Sequence, residues 1–164
     1  MVQSRAVGLR VPLPDARAWS ELDEERWFAL THEPSSSSLR FRTWRAPLRV
    51  SKDDCREQVY LWRSELRPRG EPMIEKSLGA PSGYDVGMRI DVERGQSGAF
   101  TAVLLAYGAG VRRCYAAVFQ TMVEHAGAES ELGGRLRLIT EGVLNRVELI
   151  DIEEIPGQPP FATP

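Results

Sequence analysis

Residues 99–149 constrain the fold of this chain more than any other stretch. Two apolar runs occupy about 99–107 and 111–123, and Gly108-Ala109-Gly110 separates them. We interpret these runs as two strands of a β-hairpin joined by a glycine turn. Because neither run alternates strictly between apolar and polar residues, both strands should be covered on both faces and lie centrally in a sheet.

A periodic amphipathic segment follows the hairpin and predicts a helix over about 128–147. Apolar residues recur in this segment at intervals of three and four, which places them on one buried stripe. The stripe consists of Leu132, Leu136, Ile139, Val143 and Val147. Gly133 and Gly134 lower the helix propensity of the segment, and we expect them to allow a close approach of the helix to the sheet.

Upstream segments predict further strands and one more helix. The helix begins after Ser51, which is a favourable N-cap, and runs to about Leu66. Strands are predicted over 8–13, 26–32, 39–44 and 86–93. Neighbouring strands joined by short turns imply an antiparallel β-sheet flanked by helices, so the predicted fold class is α+β.

The length of 164 residues fits a single domain, which we assign to 1–155, followed by a Pro-rich disordered tail over 156–164. No run of 18 apolar residues occurs, so we expect no membrane insertion. The first ten residues lack a hydrophobic signal core, which predicts a cytoplasmic location for the chain as it stands. A net charge of −2 gives no overall attraction for nucleic acid, and we expect no such partner.

The two cysteines have two interpretations. Cys55 lies on the inward stripe of the first predicted helix, and Cys114 lies near the start of the second central strand. They form either a disulfide that ties the helix to the sheet or two separate buried thiols. A disulfide would indicate an oxidising compartment, such as the periplasm, reached through a leader that has since been removed.

No motif in the sequence predicts catalysis, a metal site or a cofactor. There is no G-x-S-x-G pattern and no G-x-G-x-x-G pattern that leads into a helix. His32 and His125 lack the ligand spacing of zinc sites. The acidic pairs Asp53/Asp54 and Glu153/Glu154 lie where solvated residues are expected. We therefore predict a protein that is not an enzyme and holds no cofactor and no metal.

One local basic cluster surrounds the strand predicted over 39–44. Alternation places Arg40, Arg42 and Trp44 on the same face of this strand. Arg45 and Arg49 follow directly after it. The cluster is a solvated sheet face, a docking surface for an acidic protein, or a single-strand nucleic-acid platform. We take Arg40, Arg42, Trp44 and Arg45 as candidate partner-binding residues, with Trp44 as the exposed anchor.

The whole pattern resembles the PsbP-like fold. The resemblance rests on Leu13-Pro14-Asp15 with Trp19, on the strand over 39–44 and on the hairpin and helix over 99–147. That fold includes the extrinsic photosystem II subunit, a Ran-binding import factor and bacterial chaperones of type VI secretion effectors. The resemblance implies an α/β/α sandwich and a non-enzymatic helper of other macromolecules, and it assigns no site residue.

The predicted function is a non-enzymatic protein-binding or assembly module, similar to a chaperone. Its basic residues are almost all arginine, since Lys52 and Lys76 are the only lysines among the 21 lysines and arginines, and this skew is typical of a GC-rich bacterium. Two alternatives remain. The protein is a secreted or periplasmic envelope component with a structural disulfide, or it is a small-ligand-binding domain. The sequence identifies no particular partner and no oligomeric state.

Overall fold

A computed structural model describes residues 2–4, 8–124 and 127–150 of the chain. In that part, a large antiparallel sheet carries one α-helix on each face, so the predicted α+β class is confirmed. The strands are β1 (Val2–Ser4), β2 (Leu9–Val11), β3 (Ser20–Leu22), β4 (Phe28–His32), β5 (Ser37–Arg45), β6 (Ile74–Leu78), β7 (Asp85–Arg94), β8 (Phe100–Gly110), β9 (Arg113–Val123) and β10 (Glu148–Leu149). The helices are α1 (Lys52–Trp62) and α2 (Ala128–Gly142).

The seven-stranded sheet has the order β3-β4-β5-β9-β8-β7-β6. The predicted hairpin is β8 and β9, and both strands lie inside the sheet, as expected. The predicted glycine turn is wrong, because the turn residues are Val111 and Arg112, and Arg112 adopts a φ of 56°. Gly108 instead lies within β8, where an added Cβ would come within 2.8 Å of the Val86 side chain.

The α2 face of the sheet holds the larger of two hydrophobic cores. Side chains such as Phe41, Met88, Leu104 and Tyr115 point to this side and are fully buried. Helix α2 packs chiefly over β8 and β9. The small sheet β1-β2-β10 closes this core at one end with Leu9 and Val11, both fully buried.

The two glycines of α2 do not have the role that we expected. A Cβ added at Gly133 or at Gly134 would meet no atom within 4 Å, so neither glycine allows a close approach to the sheet. Both residues are exposed. Helix α2 also ends earlier than predicted, at Gly142, and a short 3-10 turn over Leu144–Arg146 follows it.

Helix α1 covers part of the opposite face of the sheet. It begins with a capping box, in which the Asp54 amide donates to the Ser51 hydroxyl (3.1 Å) and the Ser51 amide donates to the Asp54 carboxylate (2.9 Å). The helix ends at Trp62, before the predicted Leu66, which is buried in the 3-10 turn that follows. This smaller core includes Val59, Tyr107 and Val118.

Strand β6 was not predicted, because its residues show no apolar alternation. Four of its five residues are exposed, and it forms one edge of the large sheet. The predicted tail over 156–164 and His125 lie outside the described residues. The assignment of 1–155 to a single domain stays a prediction.

Candidate functional site

The predicted exposed face of Arg42 and Trp44 is covered in the structure. Arg42 is 4% exposed and Trp44 is 2% exposed, so the prediction that Trp44 is an exposed anchor is wrong. The cause is α1, whose last residue, Trp62, lies over both side chains. The Trp44 and Trp62 rings meet edge to face at 4.8 Å, and the Arg42 Cζ atom lies 3.4 Å from the centroid of the Trp62 ring.

Arg42 is a buried cation held by aromatic rings. Its Nε and Nη2 atoms make no hydrogen bond within the described part of the chain. Burial, and secondarily the charge of Arg26, lowers the pKa of Arg42 to about 10. The contact with Trp62 and a longer one with Trp27, at 5.7 Å, are cation–π interactions. Arg42 therefore joins β5 to α1 and presents no surface to a partner.

Arg40 is also committed to an internal contact. Its Nε atom donates to the Glu24 carboxylate at 2.8 Å, and Arg63 donates to the other oxygen of the same carboxylate at 2.5 Å. Burial raises the pKa of Glu24, but the hydrogen bonds and charges of Arg40 and Arg63 outweigh it and lower this pKa. The pair of arginines thus ties β5 and the end of α1 to the loop that precedes β4.

Arg45 is the candidate partner-binding residue that stays exposed. It ends β5 and lies opposite Arg113, the first residue of β9. The chain then forms a loop over 46–50, which lies beside the β8–β9 turn. We call residues 45–49 together with 110–113 the basic tip.

Two hydrogen bonds join the two segments of the basic tip. The Ala46 amide donates to the Arg112 carbonyl at 2.9 Å, and the Arg112 guanidinium donates to the Pro47 carbonyl at 2.7 Å. The segments are 65 positions apart in the sequence at this second contact. Because these hydrogen bonds hold both backbone segments, the side chains that project from the tip are attached to a well-defined backbone.

The basic tip combines exposed apolar side chains with positive charge. Leu48 and Val111 are each 74% exposed, the highest value among the large hydrophobic side chains of the described residues. Arg45, Arg49 and Arg112 are exposed around them, and the tip contains no acidic residue. Arg45 and Arg49 form no ion pair with any residue that the structure describes.

A disulfide lies directly behind the basic tip. The structure joins Cys55, in the first turns of α1, to Cys114, next to Arg113 in β9, with their Cα atoms 5.6 Å apart. Both cysteines are buried. The sequence left open a disulfide or two separate thiols, and the structure has the disulfide. The bond ties the first turns of α1 to β9 beside the tip.

A shallow depression lies at the opposite end of the same sheet face. It has a volume of about 600 Å³ and lies between the segment 65–71 and strands β7 and β8. Arg69, Glu71 and Glu93 stand on its rim, and Val103 forms part of its wall. Within the described residues, no group of three or more histidine, cysteine or acidic side chains is arranged to hold a metal ion.

The sequence contains a weak signal for the basic tip that apolar periodicity does not reveal. The apolar run over 111–123 begins with Val111-Arg112-Arg113, although two consecutive arginines are unfavourable in a covered strand. A turn placed at Val111-Arg112 would have predicted that Val111 is exposed. The proximity of Leu48 could not be inferred, because the loop over 46–50 reaches the turn only through the pairing of β5 with β9.

Comparisons with known proteins show the fold alone. No protein-family model matches the chain, and no curated protein matches it in sequence. Among solved structures, the chain is similar to a protein from Bacteroides thetaiotaomicron VPI-5482, with 13% identity and a TM-score of 0.51. The match covers 89% of this chain and 46% of the other, so the chain spans less than half the length of that protein. No helix of the described residues is long and apolar enough to cross a membrane.

Proposed function

We propose that this protein is a non-enzymatic protein-binding module that docks an acidic surface of a partner protein through its basic tip. The observation that carries this proposal is the combination of Leu48 and Val111, each 74% exposed, with Arg45 and Arg49, which form no ion pair with the described residues. A protein interface typically has an apolar centre and a polar rim, and arginine is enriched in it.

The two kinds of side chain have different tasks in such an interface. Full burial of a leucine or valine side chain contributes about 1.5–3 kcal/mol each, so Leu48 and Val111 supply affinity. Arg45 and Arg49 attract an acidic partner, speed its association and fix its orientation. Because hydrogen bonds hold the backbone of the tip and a disulfide lies directly behind it, little conformational entropy is lost when a partner docks on it.

The location that fits this function is an oxidising compartment. A disulfide persists in the periplasm or outside the cell and is rare in the cytosol. The Cys55–Cys114 bond therefore supports an envelope or secreted component over a cytoplasmic one. The resemblance to the PsbP-like fold supports the same general role, a helper that binds another macromolecule and aids its assembly or delivery.

The proposal is tested by capturing partners on the immobilised protein and measuring the affinity of the purified partner by calorimetry. We expect Arg45→Glu/Arg49→Glu to weaken binding by at least about tenfold, and Leu48→Ser/Val111→Ser to do the same. We also expect binding to weaken as the salt concentration rises, because it depends on charge.

The matched control is Arg69→Glu/Arg94→Glu, which reverses two exposed arginines at the far end of the sheet. This control should bind within about twofold of the wild type. Equal weakening by the control and the tip variants would overturn the proposal. So would tip-dependent binding to vesicles of phosphatidylglycerol without any protein partner, since the tip would then be a membrane contact.

A second candidate function, small-ligand binding, is favoured by the depression of about 600 Å³ beside β7 and β8. Its rim carries both signs of charge, Arg69 with Glu71 and Glu93, which suits a zwitterionic molecule. A thermal-shift screen of amino acids and short peptides tests it. A rise in melting temperature that Arg69→Ala abolishes would support ligand binding, and the absence of any shift would exclude this class of ligand.

A further inference from the structure

We infer that the groove between strand β6 and helix α2 captures an extended peptide, which adds to the sheet as an eighth strand. The peptide carries an acidic residue followed, two positions later, by an apolar residue. This inference does not depend on the basic tip, which lies on other elements. It rests on an uncovered sheet edge, an apolar groove beside that edge, and two cations on the rim of the groove.

The first observation is the edge itself. Strand β6 pairs with β7 on one side, and in the described part of the chain no strand pairs with its other side. Its outer N–H and C=O groups are therefore free to bond an added strand. Met73 and Ile74, at the start of this edge, are 56% and 40% exposed and add apolar surface beside these backbone groups.

The second observation is the groove that runs beside the edge. Because α2 lies over β8 and β9, the α2 face of the sheet is left partly uncovered near β6. A groove of about 240 Å³ results, and buried Met88, Ile90 and Leu136 form its floor. Such a volume accommodates one or two apolar side chains of an added strand, whose residues alternate between the two faces of the sheet.

Gly133 keeps this groove open. It lines the groove from the side of α2, and a Cβ at this position would meet no atom within 4 Å. A glycine inside a helix costs about 1 kcal/mol relative to alanine, and no packing requirement accounts for it here. Any larger side chain at Gly133 would project into space that a bound peptide would fill.

The third observation is the charge on the rim. Lys76, Arg137 and the exposed Glu141 line the groove, so the net charge of its lining is positive, and neither cation forms an ion pair with any residue that the structure describes. Lys76 lies on the same face of β6 as Ile74, because their partners in β7, Met88 and Ile90, both belong to the α2-side core. An acidic residue opposite Lys76 and an apolar residue opposite Ile74 would therefore complement the edge.

The direction of the added strand follows from the rest of the sheet. Every pair in the large sheet is antiparallel, so we assign the same direction to the peptide. The residue opposite Lys76 then precedes the residue opposite Ile74 by two positions. The recognised pattern is Asp or Glu, any residue, then a large apolar residue.

A second copy of this chain fits the edge less well than a peptide. Two β6 strands paired antiparallel about a two-fold axis normal to the sheet would oppose Lys76 to Lys76 if centred on Lys76, and Glu75 to Glu75 if centred on Glu75. Like charges in directly opposed positions destabilise a strand pair. Centring the pair on Ile74 or Ser77 avoids this repulsion but gives neither charge an opposite charge to face. A separate peptide with the complementary charge avoids this repulsion.

The test is fluorescence anisotropy with a labelled peptide, Thr-Glu-Thr-Ile-Thr, acetylated and amidated at its ends. We expect saturable binding to the wild-type protein, and a loss of at least about tenfold in affinity for Gly133→Leu. The matched control is Gly134→Leu, which makes the same exchange at an adjacent exposed position that does not line the groove. Both variants gain helix propensity, so folding failure does not confound the comparison.

A charge exchange tests the assigned pattern. Lys76→Glu should weaken binding of the glutamate peptide, and a peptide with lysine in place of that glutamate should recover affinity for this variant. Failure of the wild type to bind the probe below about 1 mM would overturn the inference, as would equal losses for Gly133→Leu and Gly134→Leu. Sedimentation that reveals a dimer disrupted by Gly133→Leu would overturn it too, because a second copy would then occupy the groove.

Discussion

Removal of the Cys55–Cys114 disulfide is predicted to lower the free energy of unfolding by about 4 kcal/mol. The bond joins positions that are 59 residues apart. In the chain-entropy model, a cross-link around a loop of this size reduces the entropy of the unfolded chain by about 14 cal/mol/K, or about 4 kcal/mol at 25 °C. Since 1 kcal/mol corresponds to about 2–4 °C in a domain of this length, the melting temperature should fall by about 8–16 °C.

The same change has a local consequence at the basic tip. The disulfide ties the first turns of α1 to β9 at the residue next to Arg113. Without it, strand pairing and the hydrogen bonds between the loop over 46–50 and the β8–β9 turn are the restraints that remain. Backbone amides of 110–113 should therefore exchange hydrogen faster in the variant than in the wild type.

The assay is urea unfolding followed by tryptophan fluorescence, on the wild type and on Cys55→Ala/Cys114→Ala. The wild type in dithiothreitol is the control, because it loses the cross-link while keeping both sulfur atoms in the core. The reduced wild type and the variant should agree within about 1 kcal/mol if the cross-link accounts for the loss. A total loss below about 1 kcal/mol, or alkylation of both thiols without reductant, would refute the reasoning.

Two further predictions concern the contacts that occupy the predicted partner-binding face. Arg42→Met should leave the free energy of unfolding unchanged or raise it. The substitution removes a buried charge that has no hydrogen bonds at Nε and Nη2, and it retains an apolar contact with Trp62. A decrease in the free energy of unfolding above about 3 kcal/mol in urea melts would show instead that the cation itself stabilises the fold. Glu24→Gln should destabilise the protein at pH 7, and its penalty should shrink as the pH falls below 4.5, because the lowered pKa of Glu24 gives stability that is lost when this carboxylate is protonated. Urea melts at pH 7 and pH 3 measure this difference, and a penalty that is equal at both values would contradict it.

Local patterns predicted the framework of this fold. The apolar runs that became β8 and β9 are so long and continuous that central strands are their natural outcome, because such strands remove both of their faces from water. The start of α1 was equally predictable, because the Ser51 and Asp54 side chains, three positions apart, accept hydrogen bonds from each other's backbone amides. These features depend on interactions between residues that are close in the sequence, so the sequence alone predicts them.

The candidate site was not predictable in the same way. The alternation in β5 correctly separated Arg42 and Trp44 from Phe41, but it does not say which face a helix will cover. Helix α1 lies over the arginine face, and Trp62 packs against both Arg42 and Trp44. Strand β6 was missed for a related reason: an edge strand that borders water needs no apolar alternation.

The sequence by itself therefore determined the α+β class, the two strands of the central hairpin and the residues at which both helices begin, because hydrophobic periodicity and capping act over short separations. Only the tertiary structure decided which arginines are buried and which are exposed. Arg42 is covered because α1 returns across the sheet, and Arg45 is exposed because β5 ends beside the β8–β9 turn. The basic tip unites segments that are 65 positions apart, and such a juxtaposition follows from strand pairing and helix packing, which no local pattern encodes.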